Sequence, residues 1–201
     1  MLQAPPNIEW QVEAVNRIDR LLKSVTAALD AAEIPYAVIG GNAVSTWVAT
    51  RDVGAVRATM DVDLLMQRSD VDRTTETLAS LNLIRHDVLE LLVFMEANDP
   101  RPSQGVHVIM ANEKVRAYSN RPAPDVSRAV RVSSGFLVLD LVSLVIMKLE
   151  AYRRVDQVHI EDMLRVGLID EQLVAELLDE LCDRLRHIRD TMEWNTDPPQ
   201  F

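Results

Sequence analysis

Two aspartates, Asp61 and Asp63, stand two apart in the run Met60-Asp61-Val62-Asp63-Leu64-Leu65-Met66. On a strand, successive side chains alternate between faces, so both carboxylates leave one face while Met60, Val62 and Leu64 take the other. Carboxylates held that close repel unless something positive sits between them, and hard oxygen donors on a rigid strand suit Mg²⁺. Upstream, Gly40-Gly41-Asn42 interrupts an apolar run. A Gly-Gly turn between strand and helix lets backbone N–H groups approach a phosphate, with the helix dipole adding to the attraction. Asn42 offers one more donor there. Arg57 and Thr59 precede the aspartates at the same alternation, which puts Thr59 on the face of both carboxylates. One or two Mg²⁺ ions on the pair would bridge a triphosphate and activate an attacking hydroxyl. Transfer of a nucleotide from a nucleoside triphosphate, with pyrophosphate leaving, uses all of these parts.

The elements that must position them are readable from periodicity. Val12, Val15, Ile18, Leu21, Leu22, Val25 and Leu29 predict a helix over 7–33, closed by Pro35. Residues 36–39 predict a short strand entering the Gly-Gly turn, 42–48 a helix, and 60–66 the strand that carries the aspartates. Ser69 or Asp70 is placed to cap a helix reaching to 81. Strands are expected at 91–96 and 106–110, with Asn98-Asp99-Pro100 as a turn between them, and at 129–132 and 136–139. Asp140 is placed to cap a helix over 141–154, with two or three more helices following and a frayed tail over 194–201. The fold class expected is α/β, a mixed sheet flanked by helices over residues 1–139. A helical subdomain over 140–201 would close over the nucleotide site.

Composition narrows the alternatives. The chain has 201 residues, of which 48% are hydrophobic, enough for a full core. Its net charge of −10 argues against a broad nucleic-acid-binding surface, leaving only a local patch around Arg116, Arg121, Arg128 and Arg131. Cys182, the sole cysteine, excludes an internal disulfide and fits a reducing cytoplasm. The most apolar stretch, 135–147, is short and broken by Asp140, so no membrane partner is expected. The N-terminus has no signal-peptide apolar core, and the expected location is cytoplasmic.

Taken together, Gly40-Gly41-Asn42-Ala43 and Arg57-x-Thr59-x-Asp61-x-Asp63-Leu64 resemble the signature of minimal nucleotidyltransferases of the polymerase-β-like superfamily. The likeness is closest to the abortive-infection type nucleotidyltransferases, several of which are toxins paired with antitoxins. It extends to a downstream motif, 141–148 ending in Lys148, then Arg153-Arg154-Val155-Asp156 and His159-Ile160-Glu161-Asp162, so that it spans 34–170. The resemblance implies that Asp61 and Asp63 bind metal and that Gly40, Gly41 and Asn42 hold the triphosphate. It also implies that Lys148 neutralises triphosphate charge, and that Arg154 and Asp156 position the site from the helical side. An antitoxin protein would be a partner.

The family usually adds a third carboxylate on a neighbouring strand, and Ile109 stands where it is expected. Two stand-ins are open: His107, whose ordinary pKa suits general-base work, and Glu113, further along at the same parity. Asp156-x-x-His159-x-x-Asp162 reads equally as a charged, capped helix face or as a row touching substrate. The acceptor stays open among a small molecule, a protein side chain and an RNA end. The competing class is a nucleotide-binding or protein-interaction module that keeps the scaffold without turnover.

Overall fold

The computed structural model describes residues 8–88, 91–117 and 119–192. The chain opens with α1 (Ile8–Ala31), whose Ile18, Leu22, Val25 and Leu29 recur at helical spacing and are buried. The helix ends where Glu33 takes a left-handed φ of 52° and the Ile34 N–H donates back to the Leu29 carbonyl at 3.0 Å. β1 (Ala37–Ile39) follows and runs directly into α2 (Gly40–Ala49). Next come β2 (Val62–Met66), α3 (Val71–Ala79), β3 (Leu83–Val88), β4 (Leu91–Glu96), β5 (Val106–Met110), β6 (Ala129–Arg131) and β7 (Leu137–Leu139). Four helices complete the described chain: α4 (Leu141–Ala151), α5 (Arg154–Arg165), α6 (Glu171–Ala175) and α7 (Asp179–Thr191).

The strands form one mixed sheet in the order β3-β4-β5-β2-β1-β7-β6. β2 lies at its centre, antiparallel to β1 and parallel to β5. The core is continuous from α1 through the sheet to Leu144, Val145 and Leu149 of α4, Ile160 of α5 and Leu185 of α7. The molecule is therefore an α/β fold with a helical C-terminal part, as expected. Among the described residues, no helix is long and apolar enough to cross a membrane.

Three local expectations are corrected. β3 is not anticipated by the sequence reading, because Arg85-His86-Asp87 at the sheet edge breaks the apolar pattern. Asp61 precedes β2 instead of lying within it. Asp140 does cap α4, accepting from the Ser143 N–H at 3.0 Å, but the helix stops at Ala151 and not at 154. Tyr152 adopts a φ of 49°, and Arg184 of α7 donates to the carbonyls of Leu149 (2.7 Å) and Glu150 (3.0 Å). A helix whose last carbonyls already have outside partners can turn sharply. The tail expected over 194–201 lies outside the described residues.

Candidate active site

The Gly-Gly pair is explained by what it faces. β1 pairs with β2 so that Ile39 lies opposite Asp63, and the chain leaves β1 through Gly40 at a φ of +66°. A Cβ on Gly40 would fall 1.8 Å from Asp63 Oδ2, and one on Gly41 would fall 3.0 Å from Thr59 Oγ1. The backbone can start α2 here because Gly40 has no side chain, and Gly41 spares Thr59 a tight contact. The Asn42 amide donates to the Asp61 carbonyl at 2.7 Å, tying the first turn of α2 to the residue before β2. Thr59 Oγ1 donates to Asp61 Oδ1 at 3.1 Å, so Thr59 does share the aspartates' side. The Arg57 carbonyl accepts from Ser45 Oγ at 2.8 Å.

The neighbouring strand brings one of the two stand-ins, His107, to the aspartates. β2 and β5 pair in parallel with Asp63 level with His107 and Leu65 level with Ile109. The position beside the aspartates therefore belongs to His107, and Ile109 packs against the core one pleat beyond. Glu113 does not serve as a stand-in. A rise of about 3.3 Å per residue carries Met110 about 10 Å past His107, and Glu113 lies further on, held by Arg68 through two 2.6 Å bonds. Opposition across β2 and β5 was the signal that would have singled out His107, and register is not visible in one strand alone.

His107 Nδ1 lies 3.4 Å from Asp61 Oδ2 and 3.4 Å from Asp63 Oδ1, while Nε2 lies 2.7 Å from the Pro102 carbonyl. Hydrogen bonds to Asp61 and then Asp63 push the imidazole up to about 10, against the effect of its burial. Burial pushes the Asp61 carboxyl upward, but the bond and charge of His107 and the Thr59 hydroxyl more than offset this and hold it below the ordinary range. The positive charge demanded by two close carboxylates is thus present in the chain itself. Ligand atoms of Asp61, Asp63 and His107 lie within 4.8 Å of one another. With room made by Gly40, this donor set fits a divalent cation.

A second charged cluster lies on the helices. Lys148 Nζ donates to Asp156 Oδ1 at 3.1 Å, with the two side chains 7% and 1% exposed. Arg153, not its neighbour Arg154, closes over Asp156 at 2.7 Å and caps α5; Arg154 is exposed. Burial raises the Asp156 carboxyl, but Arg153 and Lys148 outweigh it and leave it below its ordinary value. Arg57 Nε donates to Asp162 Oδ2 at 2.5 Å, which ties the loop before the aspartates to α5. The row Asp156, His159, Asp162 is consequently turned inward, and Asp156, accepting from the Arg153 N–H at 3.2 Å, caps α5 as the charged, capped reading of the row has it. His159 lies beside Gly41 and Thr59 in a narrow cavity of about 20 Å³, also lined by Ser45, Arg57 and Asp162. That volume holds about one water molecule.

Burial, then the Lys148 charge, pushes His159 down to about 4. The unfolded chain takes up this proton near pH 6.5 and the folded chain only near pH 4, so stability falls as pH falls through that window. A loss of about 2 kcal/mol is expected between pH 7 and pH 4.5 from this group. Urea unfolding at the two pH values measures it, and His159→Gln should remove that share of the acid sensitivity.

No family model matches the chain, and no curated protein matches it in sequence. Solved structures do. The chain is similar to an antigenic nucleotidyltransferase-like protein from Paracoccidioides brasiliensis, with a TM-score of 0.56 and 15% identity over 87% of this chain and 88% of that one. A looser likeness, with a TM-score of 0.46 and 12% identity over 87% of this chain and 98% of that one, is to ANT(2'')-Ia in complex with adenylyl-2''-tobramycin. The first of these shows a shared nucleotidyltransferase-like fold.

Proposed function

We propose that the chain is a divalent-metal-dependent nucleotidyltransferase that moves a nucleoside monophosphate from a triphosphate to a hydroxyl acceptor, releasing pyrophosphate. The observation that carries this reading is the convergence of Gly40, Asp61, Asp63 and His107 around the start of the central strand of a nucleotidyltransferase-like fold. Asp61 and Asp63 would hold the cation. When bound, it would withdraw charge from the triphosphate and make the attacking hydroxyl more acidic. Gly40 and Gly41 present the N-terminal end of α2, whose first N–H groups have no partner within the helix and suit phosphate oxygens. Asn42 and Thr59 fix the Asp61 end of the site, through its carbonyl and its carboxylate respectively. On the helical side, Lys148 and Asp156 set the positive charge and the α4–α5 corner, with Arg154 at its exposed edge. The helical part over 140–201 would cover the nucleotide.

The acceptor is proposed to be a small molecule or a protein side chain in preference to RNA. Three of the four arginines that could have made an RNA patch are paired, Arg121 with Glu150, Arg128 with Asp140 and Arg131 with Asp30. The abortive-infection resemblance extends the reading to a toxin with a protein antitoxin, an extension resting on the two sequence motifs.

One observation favours a second reading. His107 already neutralises Asp61 and Asp63, so the cluster could persist as a cation-independent feature of a nucleotide-binding or interaction module without turnover. Incubation with labelled nucleoside triphosphates, divalent cation and a cell extract separates the two. The wild type should transfer label, and Asp61→Asn with Asp63→Asn should lower transfer at least about a hundredfold. Equal labelling by the double variant, or none by wild type, would sink the enzyme reading.

A further inference from the structure

We propose that His107 is a metal ligand, completing with Asp61 and Asp63 a mixed imidazole–dicarboxylate site that takes a divalent first-row transition ion in preference to Mg²⁺. The inference rests on the proposed function only for what the ion would do; the site stands on its own geometry. A carbonyl oxygen can only accept, so the Pro102 carbonyl 2.7 Å from Nε2 places the hydrogen of a neutral ring on that nitrogen. In the chain without an ion Nδ1 carries a proton as well; a cation arriving there displaces that proton and takes the lone pair of the atom that lies 3.4 Å from both carboxylates. A ring nitrogen donating to a backbone carbonyl fixes the ring and its tautomer so that the other nitrogen can ligate, the usual support for a metal-ligating histidine.

The donors are held before any ion arrives. Asp63 and His107 are directly paired across β2 and β5, and Thr59 Oγ1 holds the other oxygen of Asp61. The missing Cβ of Gly40 leaves room for Asp63 Oδ2. Mg²⁺ asks for oxygen ligands, whereas imidazole nitrogen favours the later divalent ions. Replacing the expected third carboxylate by His107 therefore changes which ion the site prefers. It need not abolish the site.

Mn²⁺ is the conservative probe, since it is the weakest binder of the series. Titration calorimetry with Mn²⁺ and with Mg²⁺, on the whole chain without nucleotide, should show Mn²⁺ at least tenfold tighter. Pulsed EPR of the Mn²⁺ complex should show a ¹⁴N coupling. His107→Gln, which keeps a polar side chain beside the carboxylates, should lose that coupling and weaken Mn²⁺ at least tenfold. His107→Asp should narrow or reverse the preference for Mn²⁺ over Mg²⁺. Circular dichroism of each variant separates loss of ligand from loss of fold. Mn²⁺ binding without ¹⁴N coupling, or a metal preference unchanged in folded His107→Gln, would overturn the proposal. Nitrogen-coupled Mn²⁺ in a protein that transfers no nucleotide would leave the ligand assignment standing and remove the proposed function. Transfer without nitrogen coupling would do the reverse.

Discussion

Gly40→Ala is expected to slow nucleotide transfer roughly a hundredfold and weaken metal binding while leaving the chain folded. Two effects act together. A residue with a Cβ at a φ of +66° costs about 1–2 kcal/mol, a fall of about 2–8 °C in melting temperature for a chain of this size. The larger effect is local, because the new Cβ would lie 1.8 Å from Asp63 Oδ2. That carboxylate must swing away, and displacing a group in a reacting site by about 1 Å costs roughly a hundredfold in rate. Gly41→Ala gives the control. Its Cβ would meet Thr59 Oγ1 at 3.0 Å, and a hydroxyl can give way by a few tenths of an ångström. The expected order of activity is wild type, then Gly41→Ala, then Gly40→Ala. Labelled-nucleotide transfer and a thermal melt on the three proteins check it; a Gly40→Ala protein as active as wild type would refute the crowding argument.

Asp156→Ala is expected to be the costliest single change in the helical part, about 3–5 kcal/mol. It leaves Lys148, 7% exposed, with a buried charge and no counterion. Lys148→Met should cost less, since Asp156 keeps the bond from Arg153. Arg153 is 62% exposed, so water screens its share of the cluster and its own loss matters little. Changing the pair together, Lys148→Met with Asp156→Leu, should recover most of the loss, because well-packed apolar groups replace a buried ion pair at small net cost. Urea midpoints of the four proteins measure the series, and a double variant as unstable as Asp156→Ala would contradict it. The carboxyl of Asp156 is held below its ordinary value. Its stabilisation is therefore present above the unfolded value near pH 4 and is lost as pH falls toward the lower folded one.

Local pattern carried much of this architecture. The aspartate spacing, the Gly-Gly break and the Asp140 cap each depend on a few consecutive residues; the cap lies where the pattern put it, while Asp61 falls just before its strand and the glycines open α2 itself. What escaped depends on partners far along the chain. The family pattern put Ile109 at the third-carboxylate position and left His107 and Glu113 open as stand-ins. Only the pairing of Asp63 with His107 separates them, and that pairing is set by the whole sheet. β3 was missed because Arg85-His86-Asp87, tolerated in an edge strand, interrupts its apolar pattern. Arg153 and Arg154 are adjacent in sequence, and the break at Tyr152 decides which of them turns toward Asp156. The reason for two glycines was likewise hidden, since it lies in side chains from beyond position 58.

The central place of β2 has a consequence for how the molecule comes and goes. The cluster draws on residues 40, 61, 63 and 107, on or next to the ends of β1, β2 and β5, which meet only once the middle of the sheet has assembled. Loop closures over such distances are slow steps in folding. Fraying at the outer strands β3 and β6 leaves these residues together, whereas opening between β1, β2 and β5 disrupts the heart of the sheet. The site therefore belongs to the last-opening cooperative unit of the protein, with the slowest amide exchange. Chain that has lost its centre has no half-formed version of the site to lend to a substrate.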